Sequence, residues 1–532
     1  MDRRQFLKAA GSAAGLGLMG RSLAQAQSPN GGGGQRPNII FIFSDDHAPS
    51  TIGAYEGWLS EVANTPNIDR IAEEGAIFTQ SFCTNSICAP SRAAVLTGKF
   101  SHENGQYTNY EEFDGSQFTF PQALQDAGYT TAMIGKWHLR SDPTGFDHWE
   151  ILPGQGSYYN PDFLTPNGRN EYEGHVTEII ADLSLEWLEN GRDPDKPFLL
   201  CMQDKAPHRS WMPPLDHLTT YDDVELPDPP HFFLYKDNDD QPKAVREQEM
   251  EIANHMFPEA DLKVNDPFNP TGRAGEFNRM TDEQREVWDA AYRPKNDALL
   301  RDILNGEKNE EDVVRWMYER YLRDYLRCCE SIDDNIGRLL DYLDETGLAE
   351  NTIVIYSSDQ GFFVGERGWF DKRWIFEESL QMPFIIRWPG AIEPGQRIDA
   401  MIQNIDYAPT FLEIAGVEPP PDVHGQSLLP LFRGEVPEDW RQSIYYHYYE
   451  YEPPSWHNVA PHYGVRMHDG RKLFHYYHED HREWQMTDLN IDPHELHNLH
   501  DDPDHADTQA ELKAELRRLQ EYYEDPILEE EG

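Results

Sequence analysis

Asn38-Ile39-Ile40-Phe41-Ile42-Phe43 runs directly into Ser44-Asp45-Asp46-His47, and this pairing of an apolar run with a charged exit recurs along the chain. Thr130-Thr131-Ala132-Met133-Ile134 leads into Gly135-Lys136-Trp137-His138. Phe198-Leu199-Leu200-Cys201-Met202 leads to Asp204, Lys205 and His208. Thr352-Ile353-Val354-Ile355-Tyr356 leads to Ser357-Ser358-Asp359-Gln360-Gly361, and Pro383-Phe384-Ile385-Ile386-Arg387 to Pro389-Gly390. Unbroken β-branched and aromatic runs of this kind read as strands buried on both faces. Helical patterns lie between them, at Thr65 to Gly75, Pro121 to Gly128, Val176 to Asn190, Val313 to Gly347 and Ala408 to Gly416. The alternation predicts an α/β fold, a mixed sheet covered by helices on both faces. Ligands of such sheets bind outside the carboxyl ends of the strands. That edge would collect Asp45, Asp46, Lys136, His138, His208, Asp359 and Gln360. One strand ending in Asp is commonplace; several ending this way make a site.

The N-terminus lies outside this pattern. Arg3-Arg4-Gln5-Phe6-Leu7-Lys8 precedes a short apolar stretch from Ala9 to Leu18, and Ala24-Gln25-Ala26 has the form of a cleavage site. Residues 1–26 read as a twin-arginine export signal, too short in its apolar part to span a bilayer. Residues 27–36, with Gly31 to Gly34, read as a flexible linker. No later run reaches the roughly 18 apolar residues of a membrane span. The expectation is an exported protein, periplasmic or extracellular, without a stable span. A catalytic domain is expected over 37–435. After about residue 435, Tyr445-Tyr446-His447-Tyr448-Tyr449 and Lys472-Leu473-Phe474-His475-Tyr476-Tyr477 suggest antiparallel strands, and Ala510 to Glu524 an amphipathic helix. Residues 436–532 therefore read as a smaller C-terminal α+β subdomain. The polar stretch from Leu215 to Lys308 reads as a loop insertion.

Charge and cysteine content narrow the possibilities. With 95 acidic against 45 basic residues the net charge is −50, which argues against nucleic acid or an anionic membrane as partner. A polyanionic substrate would need a locally basic pocket, and so acidic a surface suits a salty habitat where screening relieves self-repulsion. Five cysteines, Cys83, Cys88, Cys201, Cys328 and Cys329, are too few for a disulfide scaffold at this length. Adjacent Cys328 and Cys329 in a helical pattern read as packing residues, and so does Cys83.

The strand-end residues have a definite chemistry. Asp45, Asp46, Asp359 and the Gln360 amide offer only hard oxygen ligands, which suit Ca²⁺ or Mg²⁺ better than Zn²⁺. Arg92, Lys136 and Lys372 with His138 and His208 would clamp a compact oxyanion beside such a cation. One histidine can serve the nucleophile and the other the leaving alkoxide.

Cys88-Ala89-Pro90-Ser91-Arg92 gives the nucleophile a candidate. Read structurally it is a half-buried cysteine ahead of a proline-started helix. The run nevertheless resembles the signature of the type I sulfatases. Ser44-Asp45-Asp46, Gly135-Lys136-Trp137-His138, Ala206-Pro207-His208, Ser358-Asp359-Gln360-Gly361 and Asp371-Lys372-Arg373 occur in that family's order, with a familial Asp492-Pro493-His494-Glu495-Leu496-His497-Asn498-Leu499 near the end. The resemblance implies an alkaline-phosphatase-like fold and formylglycine made from Cys88 by a formylglycine-generating or anaerobic sulfatase-maturing enzyme. It implies that Asp45, Asp46, Asp359 and Gln360 bind Ca²⁺, less readily Mg²⁺, together with modified Cys88. Arg92 and Lys136 would hold the formylglycine, His138 assist its hydrate, and Lys372 and His208 grip the sulfate, with His208 the proton donor to the leaving oxygen. One hydroxyl of the hydrate would attack sulfur and the other would later expel sulfate, which a plain Ser or Cys could not do. The sequence departs from the family at Gln360, where many relatives carry Asn or His, and at Arg140, where Gly is frequent; Arg140 could add positive charge at the pocket rim or face solvent, and solvent is the expectation.

The finer resemblance is to bacterial glycan exosulfatases of the N-acetylglucosamine-6-sulfatase type, through Lys205 to Pro213, Phe370 to Trp374 and Pro461 to Arg466. It implies that Asp371, Arg373 and His462 contact sugar hydroxyls, on a substrate such as a 6-O-sulfated N-acetylglucosamine. A uronate 2-O-sulfate or an algal, ulvan-type ester remains open as substrate. Two other readings stand beside this one: a phosphodiesterase or phosphonate hydrolase of the same superfamily, and a non-catalytic glycan-binding relative.

Overall fold

The computed structural model describes residues 36–234, 241–264, 275–451 and 457–530. The expected export signal and nearly all of the linker lie outside the described residues. Ten strands form one sheet, in the order Gln396–Ile398, Ala76–Phe78, Phe384–Arg387, Thr352–Ser358, Asn38–Ser44, Phe198–Gln203, Thr130–Lys136, His148–Leu152, Asp162–Thr165 and Gly168–Glu171. The four central strands from Thr352–Ser358 to Thr130–Lys136 are parallel to one another. Phe384–Arg387 runs antiparallel to its neighbour Thr352–Ser358, so its exit lies at the opposite edge from Asp45 and Asp359. The sheet is therefore mixed, as expected.

Side-chain alternation along the central strand explains both helical layers. Ile39, Phe41 and Phe43 face one core with Val95 and Leu96 of helix Cys88–Thr97, Leu124 of Phe120–Asp126 and Phe411 of Tyr407–Ala415. Ile40 and Ile42 face the other core, with Ile68 and Ile71 of Pro66–Glu73, Ile180 of Val176–Glu186 and Ile332, Ile336 and Leu339 of Glu310–Thr346. A strand buried on both faces needs this continuous apolar run, which is why it was readable. Among the described residues no helix is long and apolar enough to cross a membrane.

The stretch from Leu215 to Lys308 is less loop-like than its composition suggests. It contains the 23-residue helix Asp282–Leu304, started by a reciprocal capping box between Thr281 and Gln284. The T-x-x-Q spacing was present in the sequence, but a helix of low amphipathicity gives little periodicity to notice.

Toward the C-terminus, Ser443–Tyr448, His462–Met467, Arg471–Tyr476 and Glu483–Asp488 form a second, antiparallel sheet in chain order. One of its faces, with Tyr445, Val465, Leu473 and Met486, packs on Leu512, Leu516 and Leu519 of helix Ala506–Tyr522. The other face, with Ile444, Tyr446, Phe474 and Tyr476, joins the first core beside Trp374 and Phe376. A sheet buried on both sides cannot be peeled away without exposing that shared core.

Phe41 packs its ring against Phe43, Tyr407 and Phe411 at centroid distances of 4.9, 6.1 and 5.5 Å. Phe41→Ala should cost about 3–5 kcal/mol through the cavity it leaves. Leu304→Ala, at a position 85% exposed, should change stability by no more than about 0.5 kcal/mol. Thermal unfolding of the two variants checks the contrast.

Candidate active site

Strand register builds the floor of the site. Ser44 pairs with Ser358 and Phe43 with Gln203, so Asp45, Asp359 and Asp204 leave the sheet at one edge. Asp46 then turns with φ +70°, and its backbone N–H donates to Asp359 Oδ1 at 3.1 Å. Carboxylate oxygens of Asp45, Asp46 and Asp359 lie within 4.8 Å of one another, and all three residues are fully buried. Burial, aided by the nearby charge of Asp45, pushes Asp359 up to about 8; burial also pushes Asp46 up to about 6, against the lowering effect of Lys372 and with the help of Asp45. Burial also opposes ionisation of Asp45, but the Lys136, Arg92 and Lys372 cations outweigh it and hold this carboxyl well below its usual range.

Each positive group comes from a different element. Lys136, at the end of its strand, pairs with Asp45. Arg92, one turn into helix Cys88–Thr97, donates to Asp359 Oδ2 at 3.1 Å, to the Lys136 carbonyl at 2.9 Å and to Gln203 Oε1 at 2.8 Å. Lys372 Nζ lies 2.7 Å from Asp46 Oδ2. All three cations are buried.

Cys88 is the first residue of its helix, and Pro90 sits in the first turn, where a missing N–H costs nothing. Its Sγ lies 3.4 Å from Asp45 Oδ1. Burial raises the thiol well above its usual value, and the Asp45 carboxylate raises it further. A thiol so placed stays protonated and is a poor nucleophile. The other four cysteines are buried and free; Cys83 Sγ donates to the Leu380 carbonyl at 3.4 Å, as a packing residue does.

The donor set can be tested against a metal ion. Gln360 donates its amide N–H to Asp46 and Asp359, which leaves its Oε1 buried without a partner. A half-turn of that amide would aim the oxygen at the space the three carboxylates share. Three carboxylates and one amide oxygen make a hard, anionic set that fits a divalent cation of the Ca²⁺ or Mg²⁺ type. Asp45 also groups with Cys88 and His208, their ligand atoms within 4.8 Å of one another, so a cation held by the carboxylates would have Cys88 beside it.

Above this floor opens a cavity of about 340 Å³ whose wall includes Cys88, His138, His208, Lys372, Asp371 and Arg373. His138 is held neutral first by burial and then by Lys136, and its buried Nδ1 has no partner. His208 Nδ1 donates to the Arg209 carbonyl at 2.6 Å, and burial keeps the ring neutral, so its Nε2 lone pair faces Asp46 at 3.8 Å.

His462 is not in this cavity. It sits on an inner strand of the C-terminal sheet, fully buried, with its ring stacked on Trp374 at 5.3 Å. Nδ1 donates to the Ala460 carbonyl at 2.8 Å and Nε2 accepts from the Ile375 N–H at 3.2 Å. Both nitrogens are committed to backbone groups, so the expected contact with a sugar is corrected to a packing role. His457 lines the cavity instead, with Nδ1 3.3 Å from Asp371 Oδ2. Glu450, also in the wall, accepts from Arg373 at 3.0 Å and from the Asn109 N–H at 2.9 Å. Sequence reasoning missed Asn109, Tyr110, Gln155, Glu450 and His457, because all five lie on segments between the regular elements, where no periodicity marks them. Arg140 is exposed, as expected, yet it also lines the cavity mouth.

The match to known proteins is extensive. Residues 37–417 match the Sulfatase family, and residues 365–522 match N-sulphoglucosamine sulphohydrolase, C-terminal. The chain belongs to the sulfatase family, whose members use formylglycine and a divalent metal. It is 45% identical over 522 residues to an N-acetylglucosamine-6-O-sulfatase of Bacteroides thetaiotaomicron, covering 96% of this chain and 91% of that one. A solved structure of a protein in complex with its substrate D-glucosamine-2-N,6-O-disulfate matches with TM-score 0.87 and 45% identity, over 92% of this chain and 99% of the other. A phosphonate monoester hydrolase of Silicibacter pomeroyi shares the alkaline-phosphatase-like fold, at TM-score 0.69 and 20% identity over 92% of this chain and 96% of that one.

His462→Ala should lower stability by about 1–3 kcal/mol, because the Ile375 N–H loses its buried acceptor. The midpoint of thermal unfolding measures this loss.

Proposed function

We propose that this enzyme removes sulfate from a 6-O-sulfated N-acetylglucosamine or a closely similar sugar, using formylglycine made from Cys88 and a Ca²⁺ ion. The observation that carries the reading is the position of Cys88. It lies on the cavity floor, against Asp45, beneath two neutral histidines and beside a buried lysine, in a state where its own thiol is unreactive. The relatives named above support the substrate class. Asp45, Asp46, Asp359 and Gln360 would hold the cation with modified Cys88, and their oxygen chemistry favours Ca²⁺. The ion would polarise sulfate oxygens, and the hydrated aldehyde supplies two hydroxyls on one carbon, one for attack on sulfur and one for expelling sulfate.

The remaining steps fall to this chain's side chains. Arg92 and Lys136 hold the modified residue in place and offset the carboxylates' charge. Lys372 neutralises a non-bridging sulfate oxygen. His138, neutral and half-buried at the cavity wall, accepts the proton from the attacking hydroxyl. His208 begins with a free Nε2; the anionic ester beside it favours protonation, which equips it to protonate the leaving alkoxide. Asp371 and Arg373 would read sugar hydroxyls, with His457 in the place expected for His462. A maturation enzyme must act on Cys88, and the sequence of residues 1–26 supports delivery through the twin-arginine translocase.

Cys88→Ser should abolish turnover of a nitrophenyl sulfate. In protein from the native host, peptide mass spectrometry across Ser81 to Arg92 should find an aldehyde at residue 88; a persisting thiol would falsify this mechanism. Turnover of a nitrophenyl phosphate exceeding that of the sulfate by orders of magnitude would return the phosphoryl reading.

Metal binding has its own readout. Ca²⁺ at about 100 times its Kd should stabilise the native chain by about 2.7 kcal/mol. Chelator should reverse the shift, Mg²⁺ should restore it less fully, and Asp359→Asn should reduce it in differential scanning fluorimetry.

A further inference from the structure

Arg140 follows His138-Leu139 at the mouth of the cavity, exposed to solvent while lining its wall. The other cations of that wall already have carboxylate partners. Lys372 pairs with Asp46, Arg373 with Glu450 and Arg209 with Asp261. Arg140 makes no ion pair among the described residues. Its Nε donates to the Asn109 carbonyl at 3.1 Å, and its guanidinium carbon lies 5.6 Å from the centroid of the Tyr110 ring. Those contacts steady the group while using one of its five N–H donors. A guanidinium held this way is prepared for a planar, two-pronged grip on a sulfate or carboxylate.

The backbone is a second observation. Arg140 has φ +61°, two residues after His138 at +56°. This left-handed conformation is free to glycine and unfavourable to a residue with a side chain. Strain retained at the mouth of a site points to a use for the side chain that causes it. The charge balance supplies the need. A surface carrying net −50 repels a polyanion, and the buried cations below are committed to the carboxylates and the sulfate being cleaved.

We propose that Arg140 recognises a second anionic group on the substrate, a sulfate or carboxylate on the same sugar or on the residue next to it, while the scissile sulfate sits below it at Cys88 and Lys372. This inference rests on the sulfated-sugar reading above. It makes Arg140 a specificity residue, expressed mainly in KM, because it stands at the rim and away from the bond being broken.

The test compares kcat/KM on three probes: N-acetylglucosamine 6-O-sulfate, a glucosamine carrying both 6-O-sulfate and a second sulfate, and the 6-O-sulfated sugar joined to a uronic acid. Wild-type enzyme should favour one of the doubly anionic probes over the first, and which one it favours identifies the source of the second charge. Arg140→Gly, which also relieves the left-handed backbone, should reduce that ratio roughly tenfold, mainly through KM. Because the readout is a ratio, a general loss of activity cancels. Added salt should shrink the wild-type preference and leave the variant's ratio nearly flat. A ratio unchanged in Arg140→Gly overturns the role of Arg140 and leaves the sugar reading intact. Turnover of a nitrophenyl sulfate without turnover of any sugar probe overturns the sugar reading and this inference with it.

Discussion

Three buried carboxylates on one sheet edge are the constraint around which this molecule is arranged. Like charges so close in a dry interior cannot all ionise unless positive charge is brought to them. Parallel register brings Asp45 and Asp359 together, and a left-handed turn adds Asp46. Arg92 then arrives on a helix, Lys136 at the end of the adjoining strand pair, and Lys372 on a loop that touches the C-terminal sheet. A divalent metal ion held by these oxygens would complete the same task more fully than lysines do, and would supply Lewis acidity. The electrostatic demand and the catalytic one are met by the same groups.

Much of this was legible because the central strands are buried on both faces. Continuous apolar runs mark such strands, and a charged residue at the end of each stands out against them. The run from Asn38 to Asp46 therefore disclosed both the sheet and two of the three carboxylates that cluster at its edge. The strands beyond Thr130–Lys136, including His148–Leu152 and Gly168–Glu171, are shorter and partly solvated, so they carry no comparable pattern. The helix Asp282–Leu304 was lost in a polar, proline-containing segment whose only clear signal was its capping box.

The sugar side of the cavity was less legible, for a different reason. Its residues are gathered by loops from distant parts of the chain, and nothing in local spacing links Glu450 to Asn109 or His457 to Asp371. His462 shows the hazard of reasoning by neighbourhood: the segment was placed correctly, but strand pairing turned that ring into the aromatic core and left its neighbour five residues earlier to face the cavity. Backbone strain is a better guide here. Asp46, His138, Arg140, Asp371 and Arg373 all line the cavity, and all have positive φ without being glycine.

Glu450 and His457, between the first two strands of the C-terminal sheet, reach the cavity wall, whereas the carboxylates on its floor come from earlier in the chain. Tyr446 donates to the Arg373 carbonyl at 3.0 Å, and Tyr448 and Glu450 anchor its guanidinium at 3.1 and 3.0 Å. The C-terminal end of the chain thus braces Arg373, a cavity residue that the earlier stretch supplies. Drift in the last hundred or so codons can therefore change how Arg373 is held while the three carboxylates beneath Cys88 keep their places, so the rim and the floor of one cavity need not evolve at one rate.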